Sequence, residues 1–253
     1  MESTWKYGIV KSTALNVRKQ PSLSAERWNN VWPLHRIALV KQASVGWYET
    51  LYRGEPAYVS AAYIELLDQP VPDSIVARMM DMAIPELGRS NSIYFNGYGG
   101  KWCHRFADWL PMHAGMPKTM IPNTSNCGAG ITWFINNENS DGFYFKNEKL
   151  KKRMIRAYPS LRHLPTALTE LEKTYVPSPG DYIYFRWKNA ASSVNVSHVG
   201  IVRTIAPDSL TTVEGNVGGA VVSRTFSLAD DRIVGYGRPA YHIAEQLQAE
   251  KNE

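Results

Sequence analysis

One of the chain's two cysteines lies where a loop becomes a helix, in the stretch GGKWCHRFADWL of residues 99–110. Two glycines precede Trp102 and Cys103, and apolar side chains then recur at helical spacing. The backbone N–H groups of a helix's first turn have no partners within the helix, and the helix dipole favours an anion there. This setting lowers the pKa of a thiol and favours the thiolate, so the stretch predicts Cys103 as a nucleophile.

A thiol nucleophile needs a base that takes its proton and protonates a leaving amine, and this base needs an orienting group. Of the six histidines, His198 is the strongest candidate, because it opens the predicted strand HVGIV and can stand at a sheet edge beside a cleft. A histidine at a strand end is more often structural, and that interpretation stays open. His104 is a rival by sequence only, since adjacent residues on a helix do not face each other.

The next predicted strand, TTVEGN, supplies candidates for the orienting group. Glu214 and Asn216 alternate along it, so both side chains point to one face. If this strand and the His198 strand are hairpin neighbours, that face can meet the imidazole. A carboxylate or amide that accepts from the imidazole would fix its tautomer and stabilise the imidazolium. Turn chemistry at a strand end accounts for the same two residues, and spacing alone favours it.

Cysteine usage limits the covalent and metal chemistry of the chain. Two cysteines, Cys103 and Cys127, cannot build a disulfide framework, although one bridge between them can form. The adjacent Cys103 and His104, with a distant Cys127, lack the paired spacing of a zinc site. We therefore predict no metal site and no cofactor.

The amino-acid composition excludes several classes of protein. With 44% hydrophobic and 20% charged residues, the chain is typical of a globular protein and is neither disordered nor collagen-like. No apolar run approaches the roughly 18 residues that a membrane span needs, so no transmembrane segment is predicted. The first residues contain no apolar core of a signal peptide, so we expect a protein made without one or one whose signal has been removed.

Positive charge is concentrated in one segment of a chain whose formal net charge is +5. Seven Lys or Arg residues lie from Lys146 to Arg162, against Glu148 alone. Such a run is usually the solvated face of a helix, and attraction to a polyanion, either nucleic acid or an anionic cell wall, is the alternative. No nucleic-acid-binding motif accompanies the run, so we expect no nucleic-acid partner.

The chain is predicted to form two domains. Short alternating runs separated by turn residues fill residues 1–67 and predict a small all-β barrel, with a hairpin at YRGEPAY. Residues 68–74, DQPVPDS, read as a linker. Residues 75–243 begin with helices and end with strands, which predicts an α+β domain with helices packed on an antiparallel sheet. Within it, residues 112–176 are expected to hold loops and short helices, and residues 244–253 are expected to form a C-terminal tail.

Two helices of the second domain have clear patterns. In SIVARMMDMAIPEL, Ile75, Met79, Met82 and Ala83 share one face and are predicted to lie in the core. The cysteine helix is expected to end or kink at Pro111. Strands are then predicted over GDYIYFRW, SHVGIVRTI, SLTTVEGN, AVVSRTFSL and RIVGYGRPAY.

The second domain resembles CHAP domains, which are cysteine- and histidine-dependent amidohydrolases or peptidases of the papain-like NlpC/P60 superfamily. The matching blocks, in the family's order, are GGKWCHRFADWL, SNCGAGITWF, PSPGDYIYF, SHVGIV, VEGN and IVGYGRP. The resemblance covers residue 75 to about residue 240 and implies a papain-like fold. It also implies bacterial peptidoglycan as the substrate.

By this resemblance, Cys103 is the nucleophile, His198 the general base and acid, and Glu214 the orienting residue. Asn216 matches a further polar position that assists the site. The backbone N–H of Cys103 would contribute to the oxyanion hole, which agrees with a place at a helix N-terminus. Some relatives bind calcium through acidic residues ahead of the cysteine, but residues 90–102 contain no carboxylate, so no calcium site is expected.

The first 67 residues resemble a bacterial SH3 (SH3b) domain, through ALNVRKQPS at the opening and GWYETLYRGEPAYVSAAYIEL at the end. Such modules commonly bind peptidoglycan, so the resemblance implies an SH3-like barrel that holds the protein on the wall. Five aromatic residues could line a groove there, although Trp47 and Tyr58 are expected in the core or at its margin. The five are Trp28, Trp32, Trp47, Tyr48 and Tyr58.

Together these patterns predict a peptidoglycan hydrolase that cleaves amide bonds in stem peptides or cross-bridges through a thioester. Both an N-acetylmuramoyl-L-alanine amidase and an endopeptidase fit, because one triad serves both reactions. We expect the protein to act at the bacterial cell wall, either as a phage-released endolysin or as a secreted autolysin. A non-catalytic wall-binding protein and an acyltransferase of the same superfamily are the alternatives.

Overall fold

The computed structural model describes residues 6–11, 14–31, 36–52, 54–72, 74–90, 100–187 and 196–252. The chain divides into two compact units. The first comprises Met1–Glu86, Leu110–Lys118 and Tyr241–Glu253, and the second comprises Leu87–Trp109 and Thr119–Ala240. Among the described residues, no helix is both long enough and apolar enough to cross a membrane.

The first unit is built on a seven-stranded antiparallel sheet with strand order β3-β2-β6-β5-β4-β1-β7. Its strands are β1 (Lys6–Val10), β2 (Leu15–Arg18), β3 (Arg27–Val31), β4 (Arg36–Ser44), β5 (Trp47–Tyr52), β6 (Glu55–Ser60) and β7 (Ile64–Pro70). The prediction of a strand-rich N-terminal region is confirmed. Closure of this sheet into an SH3 barrel stays a prediction.

The predicted hairpin at YRGEPAY is confirmed, since β5 pairs with β6 from Trp47 opposite Ser60 to Tyr52 opposite Glu55. Gly54 in its turn has φ +77°, a left-handed conformation that favours glycine. The core of this unit is formed by alternating strand residues such as Val17 and Val59. Of the five aromatic residues singled out from the sequence, the four described ones are all half-buried, and Trp32 lies outside the described residues.

Two helices complete the first unit, α1 (Ile75–Ala83) and α6 (Tyr241–Asn252). The predicted core face of α1 is confirmed, because its four apolar residues are all buried. Arg78 on α1 is also buried, and its guanidinium donates to Ala114 O at 2.8 Å and to Gln248 Oε1 at 2.9 Å. These hydrogen bonds connect α1 with α6 and with Ala114, all within the first unit.

The compact units group the chain differently from the predicted domains, whose boundaries stay a prediction. Strand β7 continues through the first three residues of the predicted linker at 68–74. Residues 244–253, predicted as a tail, lie within the unit that also holds the first sheet, and nearly all of them belong to α6. That residues 1–67 act as a separate wall-binding domain stays a prediction.

The second unit contains a six-stranded antiparallel sheet with strand order β12-β11-β10-β9-β13-β8. The strands are β8 (Ser140–Phe145), β9 (Tyr182–Phe185), β10 (His198–Ile205), β11 (Ser209–Val217), β12 (Ala220–Ser227) and β13 (Ile233–Pro239). The α+β class of this region and its five predicted strands are confirmed. Strand β8 is a correction, because only loops and short helices were expected between residues 112 and 176. The segment begins with SDG, residues that favour a turn. It is nevertheless a strand, because β13 supplies its hydrogen-bonding partners.

Four helices accompany this sheet in the chain: α2 (Cys103–His113), α3 (Cys127–Asn136), α4 (Glu148–Ala157) and α5 (Glu170–Thr174). Helix α2 does not end at Pro111 but continues to His113. A proline this close to the C-terminus removes only one hydrogen bond of the last turn, so the helix tolerates it. The unit boundary falls inside α2, between Trp109 and Leu110.

The basic run from Lys146 to Arg162 lies on and around α4. Five of its seven cationic residues are exposed, as expected for a solvated helix face. Of the other two, Arg153 is half-buried, and Lys151 is buried and pairs with Glu172 of α5 at 2.7 Å.

Candidate active site

Cys103 is the first residue of α2, as its position in GGKWCHRF predicts. The first turn of this helix lies directly against the backbone of β11. A Cβ atom on Gly215 would lie 2.5 Å from Phe106 Cβ and 2.7 Å from the Trp102 ring, so only glycine fits. This close approach sets the N-terminus of α2, the end of the helix that favours an anion, beside the strand that carries Glu214.

His198 and Glu214 are brought together by the pairing of β10 with β11. The hairpin relation on which their meeting depended is therefore confirmed. His198 Nε2 lies 2.7 Å from Glu214 Oε2, and both side chains are buried. Gly200 makes room for the carboxylate, because a Cβ there would lie 2.5 Å from Glu214 Cγ.

The imidazole of His198 interacts with both the carboxylate and the thiol. Its Nε2 is hydrogen-bonded to Glu214, and the Cys103 side chain lies near enough to raise the pKa of the ring. A candidate nucleophile, base and orienting carboxylate thus lie next to one another in space, with the base in the middle. Nucleophilic catalysis by a thiol needs this arrangement.

The Glu214 carboxylate is held by two residues that the sequence analysis did not find. Thr212 donates its hydroxyl proton to Oε1, and Arg224 donates to both oxygens, with Nε 3.0 Å from Oε1. Thr212 lies two residues before Glu214 on β11, and Arg224 lies opposite Thr212 on β12. The Arg224 guanidinium is itself placed over the Trp187 ring, 4.9 Å from its centroid.

These contacts determine which groups of the site are charged at neutral pH. Burial raises the pKa of Glu214, but hydrogen bonds from His198 and Arg224 outweigh it and lower this pKa to about 2. Burial lowers the pKa of His198, and its hydrogen bonds with Cys103 and Glu214 outweigh that effect and raise the pKa to about 9. Glu214 is therefore ionised and His198 is protonated at neutral pH.

Cys103 is the anion that faces this imidazolium. A hydrogen bond from Cys127 is the largest cause that lowers the pKa of Cys103, and the bond with His198 adds to it, to give about 4 despite burial. At neutral pH the pair is a thiolate and an imidazolium, the reactive state of a cysteine nucleophile.

Cys127 is a further residue of the site for which the sequence analysis proposed no role. It is the first residue of α3, and its Sγ lies 3.9 Å from Cys103 Sγ, with both cysteines free. The hydrogen bond with Cys103, together with burial, raises the pKa of Cys127 well above its usual value, so it stays a thiol and donates. The signal in the sequence was a second cysteine that opens a helix rich in small residues.

His104, the rival base, is fixed away from this chemistry. Its Nδ1 lies 3.1 Å from Asp108 Oδ2, and its Nε2 lies 2.9 Å from the Tyr184 hydroxyl. Asp108 also accepts from the Tyr182 hydroxyl at 3.0 Å. Both ring nitrogens are occupied in a fully buried network, so His104 ties α2 to β9 and has no free nitrogen for the Cys103 proton.

Asn216 is not brought into the hydrogen-bonded set. It is half-buried and has φ +65°, and the β11–β12 register shifts between Glu214 and Val217. The left-handed residue breaks the strand alternation that would have placed Asn216 beside Glu214. Within the described residues, its side chain forms no hydrogen bond with Cys103, His198 or Glu214, and its assisting role stays a prediction.

Comparison with known proteins finds a family that this region resembles. Residues 93–216 match the family model of the CHAP domain. Solved structures similar to the chain include NlpC2 from Trichomonas vaginalis, at 15% identity and a TM-score of 0.37, covering 93% of this chain and 72% of that one. NlpC1 from the same organism is 15% identical with a TM-score of 0.36, covering 94% of this chain and 69% of that one. No curated protein matches the chain. Residues 93–216, which contain Cys103, His198 and Glu214, are therefore similar to the CHAP domain family.

Proposed function

We propose that the protein is a cysteine-dependent peptidoglycan hydrolase that cleaves an amide bond in a stem peptide or a cross-bridge. Cys103 is the nucleophile, His198 the general acid and base, and Glu214 the residue that orients His198. The observation that carries this proposal is that His198 is hydrogen-bonded to Glu214 and also interacts with the Cys103 thiol, which raises the pKa of His198 and lowers that of Cys103.

The first half of the reaction forms a thioester. The Cys103 thiolate attacks the amide carbonyl carbon, and the carbonyl oxygen becomes an oxyanion. The unpaired backbone N–H at the start of α2 can donate to this oxyanion. The intermediate then collapses, the carbon–nitrogen bond breaks, and the His198 imidazolium gives its proton to the leaving amine.

The second half releases the acyl group. Neutral His198 takes a proton from a water molecule, whose oxygen attacks the thioester carbon. The carbon–sulphur bond breaks, the thiolate returns, and the product leaves as a carboxylic acid. Glu214, ionised and held by Arg224, stabilises the imidazolium that forms in this step.

Turbidity of purified Gram-positive cell walls tests catalysis by this thiol. The wild-type protein should clear the walls, and Cys103→Ala should not. Equal clearing by both proteins would show that another group is the nucleophile. Failure of the wild type on every wall tested would favour a non-catalytic wall-binding protein.

Mass spectrometry of the released muropeptides identifies the bond. A free stem peptide with an L-alanine amino terminus would identify an N-acetylmuramoyl-L-alanine amidase, and a new amino terminus within the peptide would identify an endopeptidase. Products joined to an added amine instead of water would show an acyltransferase.

We also propose that the first unit holds the enzyme on the bacterial wall, as the resemblance of residues 1–67 to SH3b domains implies. A cavity of about 220 Å³ on its sheet supports this role, since its lining includes Arg18, Leu23, Trp47 and Tyr63. Leu23 and Tyr63 are exposed large apolar side chains, which are costly without a partner. The exposed cations around α4 would add attraction to an anionic wall. The site of action would be the cell wall, reached by secretion or by phage release.

A further inference from the structure

The two thiols of the site lie in contact, and only one of them forms a covalent bond in the proposed hydrolysis. Cys103 Sγ and Cys127 Sγ are 3.9 Å apart, and neither is in a disulfide. The full sequence contains no other cysteine. No bond-breaking step of the hydrolysis requires a thiol at position 127, so the pairing calls for an explanation of its own.

The geometry brings the sulphur atoms within reach of a covalent bond. A disulfide holds its sulphur atoms about 2.05 Å apart, so closure from the observed separation needs each to move by roughly 1 Å. Each cysteine is the first residue of its helix, α2 or α3. The helices approach closely because position 130 is glycine: a Cβ there would lie 2.1 Å from His104 Nε2.

The two sulphurs also differ in charge, as stepwise oxidation requires. Cys103 is a thiolate beside an imidazolium, and the thiolate is the form of cysteine that attacks peroxides. Cys127 is a thiol that already donates its hydrogen to Cys103. Cys103 is therefore the sulphur that a peroxide oxidises, and Cys127 is the sulphur that then attacks it to form the disulfide.

We propose that Cys103 and Cys127 form a reversible oxidation site, at which a hydroperoxide links the two sulphurs in a disulfide that removes the nucleophile. The cross-link follows from the placement of the sulphurs. Only the accompanying loss of activity rests on the proposed function.

The reaction balances in two steps. The Cys103 thiolate attacks the outer oxygen of the hydroperoxide, the O–O bond breaks, and the departing alkoxide takes a proton from His198 to leave as an alcohol. Cys103 is then a sulfenic acid. Cys127 Sγ attacks Cys103 Sγ, the S–O bond breaks, and the hydroxide leaves with the Cys127 proton as water. Two thiols are oxidised by two electrons, and the hydroperoxide is reduced.

The test uses the full-length reduced protein, treated with hydrogen peroxide, alkylated and digested for mass spectrometry. We expect peptides joined through Cys103 and Cys127, lighter by two hydrogens than the separate thiol peptides. Dithiothreitol should separate them, and wall-clearing activity should be lost and regained in parallel. Sulfinic or sulfonic acid at Cys103 without a cross-link would overturn the proposal, as would two thiols that both remain open to alkylation after peroxide.

Cys127→Ser is the matched variant, because it keeps a hydrogen-bond donor but cannot form a disulfide. Peroxide should drive Cys103 of this variant to sulfinic acid, and dithiothreitol should not restore clearing. Full restoration by dithiothreitol would contradict the role of Cys127. If the untreated wild type clears no wall, the proposed hydrolysis is wrong. The mass of the cross-linked peptides still shows in that case whether Cys103 and Cys127 form the oxidation site.

Discussion

Arg224 contributes to the site through Glu214 rather than through the substrate. It donates to both carboxylate oxygens, and its guanidinium lies over Trp187. Its removal would leave a buried carboxylate with fewer donors, which weakens the support of the His198 imidazolium.

We therefore expect Arg224→Gln to lower kcat/KM for wall hydrolysis about 10- to 100-fold, the range for losing a hydrogen bond of roughly 1.5–3 kcal/mol to a charged group. Arg232→Gln is the matched control. Arg232 also lies 4.9 Å from the Trp187 ring centroid, but it pairs with Asp230 instead of Glu214. Equal losses in the two variants would assign the effect to the aromatic packing.

The ionisation of Cys103 gives a second prediction at the scale of single residues. The thiolate forms as pH rises through about 4, and the imidazolium is lost as pH rises through about 9, so the ion pair dominates between these values. Alkylation of Cys103 by iodoacetamide, followed by mass spectrometry, should thus remain fast well below neutral pH.

Cys127→Ala should move the midpoint of that alkylation profile upward, because it removes the hydrogen bond that most lowers the pKa of Cys103. Cys127→Ser, which retains a donor, should move it less. An unchanged midpoint in Cys127→Ala would mean that His198 alone sets the ionisation.

Sequence patterns singled out Cys103, His198 and Glu214 as candidates, and the resemblance to CHAP domains assigned their roles, which stay predictions. Arg224 escaped notice since an arginine at an alternating position of a strand reads as a solvent-facing residue. Asn216 has φ +65°, so the regular alternation that the sequence analysis assumed does not hold at this residue, and its assisting role stays a prediction. Local conformation at a strand end is set by packing that a single sequence does not display.

At the scale of elements, the close approach of α2 to β11 is what positions the nucleophile. Gly215→Ala should destabilise the protein by about 1–3 kcal/mol, the usual cost of overpacking, since the new Cβ would overlap Phe106 and Trp102. Urea unfolding followed by circular dichroism measures this change. Gly218→Asn is the control, because nothing lies within 4 Å of a Cβ there and asparagine tolerates φ +60°. A larger loss at Gly218 than at Gly215 would refute the steric argument.

Strand β8 shows the limit of predicting elements from local patterns. Its sequence opens with SDG, residues that favour a turn, so it does not alternate cleanly. It is a strand because β13, far along the chain, supplies the hydrogen bonds. Such pairing between distant segments is invisible to local propensity.

At the scale of the whole molecule, wall attachment should be separable from catalysis. In a Cys103→Ala background, Leu23→Ser should weaken sedimentation of the full-length protein with purified walls, because Leu23 lines the cavity on the first sheet. Val45→Ser is the matched control, since Val45 is 94% exposed and lies outside that lining. Retention should also fall as salt rises. Equal retention of both variants would exclude this cavity as the attachment point.

The anchoring of Arg78 limits how the protein can be shortened. Gln248 accepts from Arg78 and donates to Gly115 O at 2.7 Å, and Glu245 accepts from the backbone of Ile75 at 2.7 Å. A fragment cut at residue 243 would therefore remove an acceptor from a buried guanidinium and another from the first turn of α1, which Ser74 alone would then cap. Engineered chimeras that exchange the wall-attachment region should carry the last helix along with the graft.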